Sequence, residues 1–186
     1  MNFIIILVPV LIILGFLLIF IFNRFTSNKN LVKDAWSNID VALKRRYDLI
    51  PNLVETVKGY AAHEKTTLDE VIKARNAAVA VPQGDINEQI RTENQLQQTL
   101  RSIFALAEAY PELKANVNYI DLQNKLNEIE ENLERSRRYY NGTVRVNNTY
   151  GESFPGLLFA GILKYQHFDF FESDAASREN IKVDFS

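Results

Sequence analysis

The first hydrophobic feature of the chain is a block rather than a period. From Phe3 to Phe22 it reads FIIILVPVLIILGFLLIFIF, without a single charge or side-chain amide. At about 1.5 Å of rise per residue, such a run spans roughly the 30 Å hydrocarbon core of a bilayer as a helix. Pro9 and Gly15 are tolerated inside membrane helices. A cleaved signal peptide fits poorly, because no Lys or Arg precedes the run and no small-residue cleavage pattern follows it. The expected element is a transmembrane helix, residues 1–22 including the short N-terminus.

After a polar linker, residues 23–30, the pattern becomes periodic. Val32, Trp36, Ile39, Leu43, Tyr47 and Ile50 recur at three- and four-residue steps, and Leu53, Val54, Val57 and Ala61 continue the stripe. That spacing is helical and not the alternation of a strand. Pro51 predicts a kink or short break, since proline removes a backbone donor and crowds the preceding turn. A second helix is expected over Thr67 to Val79, opened by a capping box of Thr67 and Glu70. Val81-Pro82-Gln83-Gly84 is a loop. Asp85, with Glu88 three residues on, caps a third helix with Ile90, Leu96, Leu100, Ile103, Ala107 and Tyr110 inward, imperfectly near Asn94. Tyr110-Pro111 stops it. The fourth and longest helix carries Tyr119, Leu122, Leu126, Ile129, Leu133, Tyr140 and Val144 on one face. Glu128, Glu131, Glu134, Arg135 and Arg138 lie on the other, and Gly151 and Phe154-Pro155 end it. The fold class expected is all-α: a transmembrane helix followed by an antiparallel four-helix bundle of long helices over residues 31–153. Residues 154–186 form a C-terminal apolar and aromatic segment with a tail, whose alternating Ile181 to Phe185 suit an extended path.

Composition narrows the function. Seven Gly and five Pro suit long helices, and 21 Lys+Arg against 23 Asp+Glu give a net charge of −2, no electrostatic case for nucleic acid. Cysteine is absent, which excludes disulfides, thiol catalysis and thiolate metal sites. Neither His63 nor His167 has a Glu three positions before it, as di-iron bundles require. His63-Glu64 lacks the second His of a zinc-protease helix, and there is no phosphate-binding Gly-rich loop. No catalytic residue, cofactor or metal site is expected. Met1 and Asn2 before the apolar run and Arg24, Lys29 and Lys33 after it place the helical domain in the cytoplasm and the N-terminus outside. The sequons at Asn141 and Asn147 fall in a helical pattern and read as chance.

Bundle geometry singles out two surfaces. If the fourth helix returns beside the first, residues whose numbers sum to about 180 share a height. Lys44, Arg45 and Arg46, with Asp48, then lie level with Arg135, Arg137 and Arg138, a candidate docking band for an acidic partner. The blander reading, and the favoured one, is that Asp40, Asp48, Glu131 and Glu134 neutralise these cations. The same geometry returns Phe154 to Phe171 to the bilayer. Phe154, Leu157, Leu158, Phe159, Ile162, Phe168, Phe170 and Phe171 are candidate membrane-interface residues. The competing reading, slightly favoured because the segment lacks a basic face, is a short helix that seals the open end of the bundle.

Several blocks also carry a resemblance. The run from Trp36 to Val54 (WSNIDVALKRRYDLIPNLV), Val57-Lys58-Gly59-Tyr60 with His63-Glu64, Glu108 to Asn116 (EAYPELKAN), and Arg138-Tyr139-Tyr140-Asn141 together resemble the LemA family. Phe154-Pro155 and the closing Val183-Asp184-Phe185 match as well, so the likeness covers essentially the whole chain. It implies a bacterial cell-membrane protein with one transmembrane helix, a short external N-terminus and a cytoplasmic four-helix bundle, without established enzymatic activity or cofactor. A branch similar to magnetosome-membrane proteins hints at membrane organisation. The family's recurring polar positions fall on Arg45, Arg46, Asp48, Pro51, Asn52, Glu108, Pro111, Asn116 and Asn141, as interaction or structural positions. The segment after Pro155 departs from the family pattern in being more apolar. The leading expectation is a non-enzymatic membrane-anchored scaffold or adaptor, with the lipid bilayer, an unidentified protein and a second copy of the chain as partners. The alternative is a membrane-remodelling or lipid-sensing protein that acts through Phe154–Phe171.

Overall fold

A computed structural model describes residues 2–82 and 84–171, with side chains from residue 7 onward. Among the described residues the chain is helical without strands: α1 (Asn2–Lys58), α2 (Lys65–Val79), α3 (Ile86–Ala107), α4 (Pro111–Lys114), α5 (Val117–Glu152) and α6 (Gly156–Ala160). Gln83 and the expected extended tail, Ile181 to Phe185, lie outside the described residues. The chain divides into two compact units. The first holds the residues up to Ile39 and Ser136–Phe170; the second holds Asp40–Arg135 with Phe171.

In the first unit, the apolar run stands out from the protein. Ile13 is 67%, Phe16 70% and Phe20 65% exposed. A core helix of the same composition would be buried, so these side chains need another apolar surround, and the helix is long and apolar enough to cross a membrane. The expected linker over 23–30 is helical instead, part of the single helix α1. It contains no Gly or Pro, and the buried positions continue through it as Ile21, Phe25, Asn28, Val32, Ala35 and Ile39. From α5, Tyr140 and Val144 complete this core; Trp36 stacks edge-on against Tyr140 at 5.4 Å between ring centroids.

In the second unit, α1 runs unbroken past Pro51, so the expected break is absent. The proline frees the carbonyl of Tyr47, four residues earlier. Arg75 of α2 takes it: its Nε donates to the Tyr47 oxygen at 3.3 Å. Leu43, Ile50, Leu53 and Val57 of α1 are buried, as are Leu68 and Val71 of α2, and α2 packs on α3. Helix α2 begins at Lys65, with Glu64 at the cap and no side-chain cap bond, so Thr67 lies inside the helix and its capping box does not form. The Asp85 cap does form, accepting from the Glu88 amide at 3.1 Å. Pro111 ends the pattern of α3 and, at the first position of α4, starts a new turn where its missing N–H costs nothing. Asn116 then accepts from the Tyr119 amide at 3.0 Å and opens α5.

Candidate functional site

Two constellations carry the polar and apolar oddities of the chain, one in each unit. The first lies beside the exit of the apolar run. Phe25, three residues past Phe22 and so about 4.5 Å further along the helix, packs against Tyr150 and Tyr165 with ring centroids 5.0 and 5.8 Å apart. After α5 the chain turns through a cis Phe154–Pro155 peptide into α6. Two glycines allow the closeness. A Cβ at Gly151 would overlap the Tyr165 ring, and one at Gly156 would overlap the Tyr150 carbonyl and touch the Phe25 ring.

The segment after α6 is pinned back onto α5 by two neighbouring asparagines. Asn147 Nδ2 donates to the Gln166 carbonyl at 2.9 Å. Asn148 Nδ2 donates to the Phe168 carbonyl at 2.8 Å, and its Oδ1 accepts from the Phe168 amide at 3.2 Å. The same Nδ2 lies 3.1 Å from His167 Nε2, and Glu152 is 3.6 Å from that nitrogen. The Tyr140 hydroxyl donates to the Asp169 carbonyl at 2.9 Å. Burial, and then the Asp169 charge, push this phenol up to about 12. The hairpin is therefore held by polar bonds on its inner side.

Its outer side is apolar and bare. Phe154 is 80%, Leu157 60%, Leu158 63% and Ile162 79% exposed. Of the other interface candidates, Phe159, Phe168 and Phe170 are half-buried and Phe171 is buried. Gly156 packs on Tyr150 and Phe25, so the hairpin has a packed inner face and a bare outer one.

The second constellation is a buried ion pair that sequence reasoning passed over. Glu93 of α3 is 1% exposed and Arg46 of α1 is 4% exposed; Arg46 Nη1 lies 3.3 Å from Glu93 Oε2 and 3.2 Å from Glu130 Oε2 of α5. Tyr47 donates its hydroxyl to the other oxygen of Glu93. Gln89 Nε2 donates to the Tyr47 oxygen at 2.9 Å, and Gln97 Nε2 to Glu130 at 3.4 Å. Burial, and then the charge of Glu93, hold the Tyr47 phenol well above its ordinary range, so it remains a donor. One cation against two carboxylates, each further bound, is the pairing a buried charge needs. A cleft of about 200 Å³ beside it is lined by Arg46, Gln97, Arg101, Phe104, Asn127 and Glu130.

This geometry redistributes the expected docking band. Arg46 faces the interior and pairs with Glu93 and Glu130, not with the carboxylates expected to neutralise it. Lys44, Arg45 and Asp48 are exposed on α1. Arg135 is exposed, 3.7 Å from Glu131, and donates to Asn132 at 2.8 Å. Arg138 is exposed and Arg137 half-buried. Glu93 was legible in principle: it lies in phase with Leu96, Leu100, Ile103 and Ala107, and a charge inside an apolar stripe signals a buried partner. Asn148 left no such signal, because its partners are backbone groups of a later segment.

A model of the LemA family matches residues 35–185. The curated Protein LemA of Metamycoplasma hominis is 24% identical over 119 residues, covering 64% of this chain and 54% of that protein, so the alignment spans about half of the relative's length. The matched region takes in Arg46, Glu93, Glu130 and the α6 hairpin, and begins after Phe25. That match covers most of the chain, whose described residues are helical without strands, and the chain belongs to the LemA family.

Proposed function

We propose that this protein is a non-enzymatic, membrane-anchored helical scaffold that is attached to the bilayer twice, by the N-terminal part of α1 and by the α6 hairpin. The observation that carries the reading is the packing of Phe25, one turn past the apolar run, against the hairpin that exposes Phe154, Leu157, Leu158 and Ile162. Four large apolar side chains at the height of the headgroups gain free energy by lying in the interface, where aromatic and aliphatic groups are favoured. Arg24, Lys29 and Lys33 beyond the apolar run favour a cytoplasmic domain. The arrangement proposed for α1, α2, α3 and α5 is an antiparallel four-helix bundle. In the membrane-proximal unit, Phe25 meets Tyr150 and Trp36 meets Tyr140, so the partner's number falls as the first rises. The buried Arg46–Glu93–Tyr47 cluster satisfies its own charges and reads as a structural clamp, consistent with a rigid platform for a protein partner.

The alternative, lipid sensing or membrane remodelling by Phe154–Phe171, is favoured by the same bare hairpin face. One experiment bears on both. Lys164 is exposed and is the sole Lys or Arg between Arg145 and Arg178, so tryptic cleavage there reports on the hairpin. In the full chain reconstituted in lipid vesicles, Lys164 is expected to resist trypsin, and Leu158→Glu with Ile162→Glu to make it accessible. Equal cleavage of the two proteins contradicts the second attachment.

A further inference from the structure

The cleft of about 200 Å³ in the second unit opens between α1, α3 and α5. Gln97, Leu100, Arg101 and Phe104 line it from one face of α3, at three- and four-residue steps, and Leu126, Asn127 and Glu130 line it from α5. Leu100 and Leu126 are buried and Phe104 is half-buried, which gives the cleft an apolar wall. Arg46 reaches it from α1 although only 4% exposed. Its Nη1 serves both Glu93 and Glu130, and among the described residues no hydrogen bond takes Nε or Nη2. A guanidinium donates from all three nitrogens, so Arg46 keeps donors for a further acceptor. Arg101 is exposed and, among the described residues, has no ion-pair partner.

We propose that this cleft binds one small apolar α-amino acid as its zwitterion. The ligand carboxylate lies between Arg101 and Arg46, the ammonium group on Glu130 and the Asn127 side-chain carbonyl, and the side chain against Leu100, Phe104 and Leu126. Charge selects the zwitterion. Arg46 and Arg101 balance Glu93 and Glu130, so the site with its floor is neutral. A lone anion on the arginines would sit beside the Glu130 carboxylate, and a lone cation on Glu130 would sit beside Arg101. A ligand that carries both charges meets each with its opposite and leaves the sum unchanged. Size agrees. An apolar cavity of about 150 Å³ holds benzene, with six heavy atoms, so about 200 Å³ holds roughly eight, the count in valine. An apolar wall with a few convergent polar groups is the usual make-up of a small-molecule site between helices. A charged side chain on the ligand would be left without a partner against that wall.

This inference uses only the second unit and is independent of how the chain meets the membrane. Equilibrium dialysis of radiolabelled L-valine against the full-length protein in mild detergent tests it. Saturable binding of one valine per chain is expected. Isovalerate, which lacks the amine, and isobutylamine, which lacks the carboxylate, should each compete at least tenfold less well than unlabelled valine, the effect of losing one charge-assisted hydrogen bond. Arg101→Gln should weaken binding by about tenfold or more for the same reason, with the helical circular dichroism unchanged because Arg101 is exposed. Arg145→Gln, the same change at an exposed arginine of the other unit, should leave binding as it was. Absence of saturable binding, isovalerate or isobutylamine competing as well as valine, or equal loss from Arg101→Gln and Arg145→Gln overturns the proposal.

Discussion

Replacing Glu93 by Leu removes a carboxylate that three side chains share. Arg46, 4% exposed, loses its 3.3 Å partner but keeps Glu130 at 3.2 Å, and the Glu130 side chain is 36% exposed to water. Breaking a buried pair outright costs about 3–5 kcal/mol, and the surviving half-solvated partner discounts that to roughly 2 kcal/mol. Tyr47 loses the acceptor for its hydroxyl, which adds about 1 kcal/mol for a donor left without a partner. The total is about 3 kcal/mol, or roughly 6–12 °C of melting temperature for a chain of this size. Thermal unfolding in mild detergent, followed by far-ultraviolet circular dichroism, measures it. The double variant Arg46→Met/Glu93→Leu should recover most of the loss, because a buried pair replaced by apolar groups of similar volume is often neutral. A Glu93→Leu protein melting within about 2 °C of the parent, or a double variant no better than the single, refutes the reasoning.

Other outcomes follow from the same packing. Gly151→Ala and Gly156→Ala should each cost about 1–3 kcal/mol of stability by overpacking, read as a lowered thermal midpoint, because their Cβ atoms meet the Tyr165 ring and the Tyr150 carbonyl. Gly142→Ala, in open space within α5, should raise stability by about 0.5–1 kcal/mol. Asp85→Ala should cost about 1 kcal/mol, since Asp85 caps α3. Thr67→Ala should stay within about 0.5 kcal/mol, since Thr67 is no cap. The raised phenols of Tyr47 and Tyr140 hold their protons more tightly when folded, so their contribution is complete below the ordinary tyrosine value of about 10 and is lost at higher pH. Denaturant midpoints should therefore fall as the pH rises from 10 toward about 12, the Tyr140 value, and Tyr140→Phe should flatten part of that fall; a midpoint that rises over this range contradicts the assignment.

The helical stripes were legible because burial selects a period that local sequence displays: Leu43, Ile50, Leu96, Leu133 and Val144 are all buried where the spacing placed them. The Asp85 cap was legible for the same local reason. Boundaries set by tertiary partners were not. Residues 23–30 are polar enough to suggest a linker, yet Phe25 and Asn28 keep the helical phase and the helix continues. Pro51 suggests a break, but Arg75 takes the freed carbonyl from another helix, a contact no local pattern announces. The apolar hairpin was visible as composition, and its attachment to Phe25 depended on Gly151 and Gly156 making room. Arg46 had the look of a surface cation because its neighbours Lys44 and Arg45 are surface cations; its direction follows from Glu93, far along the chain.

The proposed contact with the membrane at two places rests on the exposed apolar side chains of the α6 hairpin. Its most direct test is the immersion depth of residue 158, from power saturation of a nitroxide at Leu158→Cys in the full-length protein in lipid nanodiscs. A label at Asp34→Cys, exposed on α1 twelve residues past Phe22 and so about 18 Å beyond the apolar run, is the reference. Residue 158 is expected to be shielded from a water-soluble relaxant and accessible to oxygen, at the headgroup–acyl boundary. A residue 158 as open to the aqueous relaxant as residue 34 contradicts it.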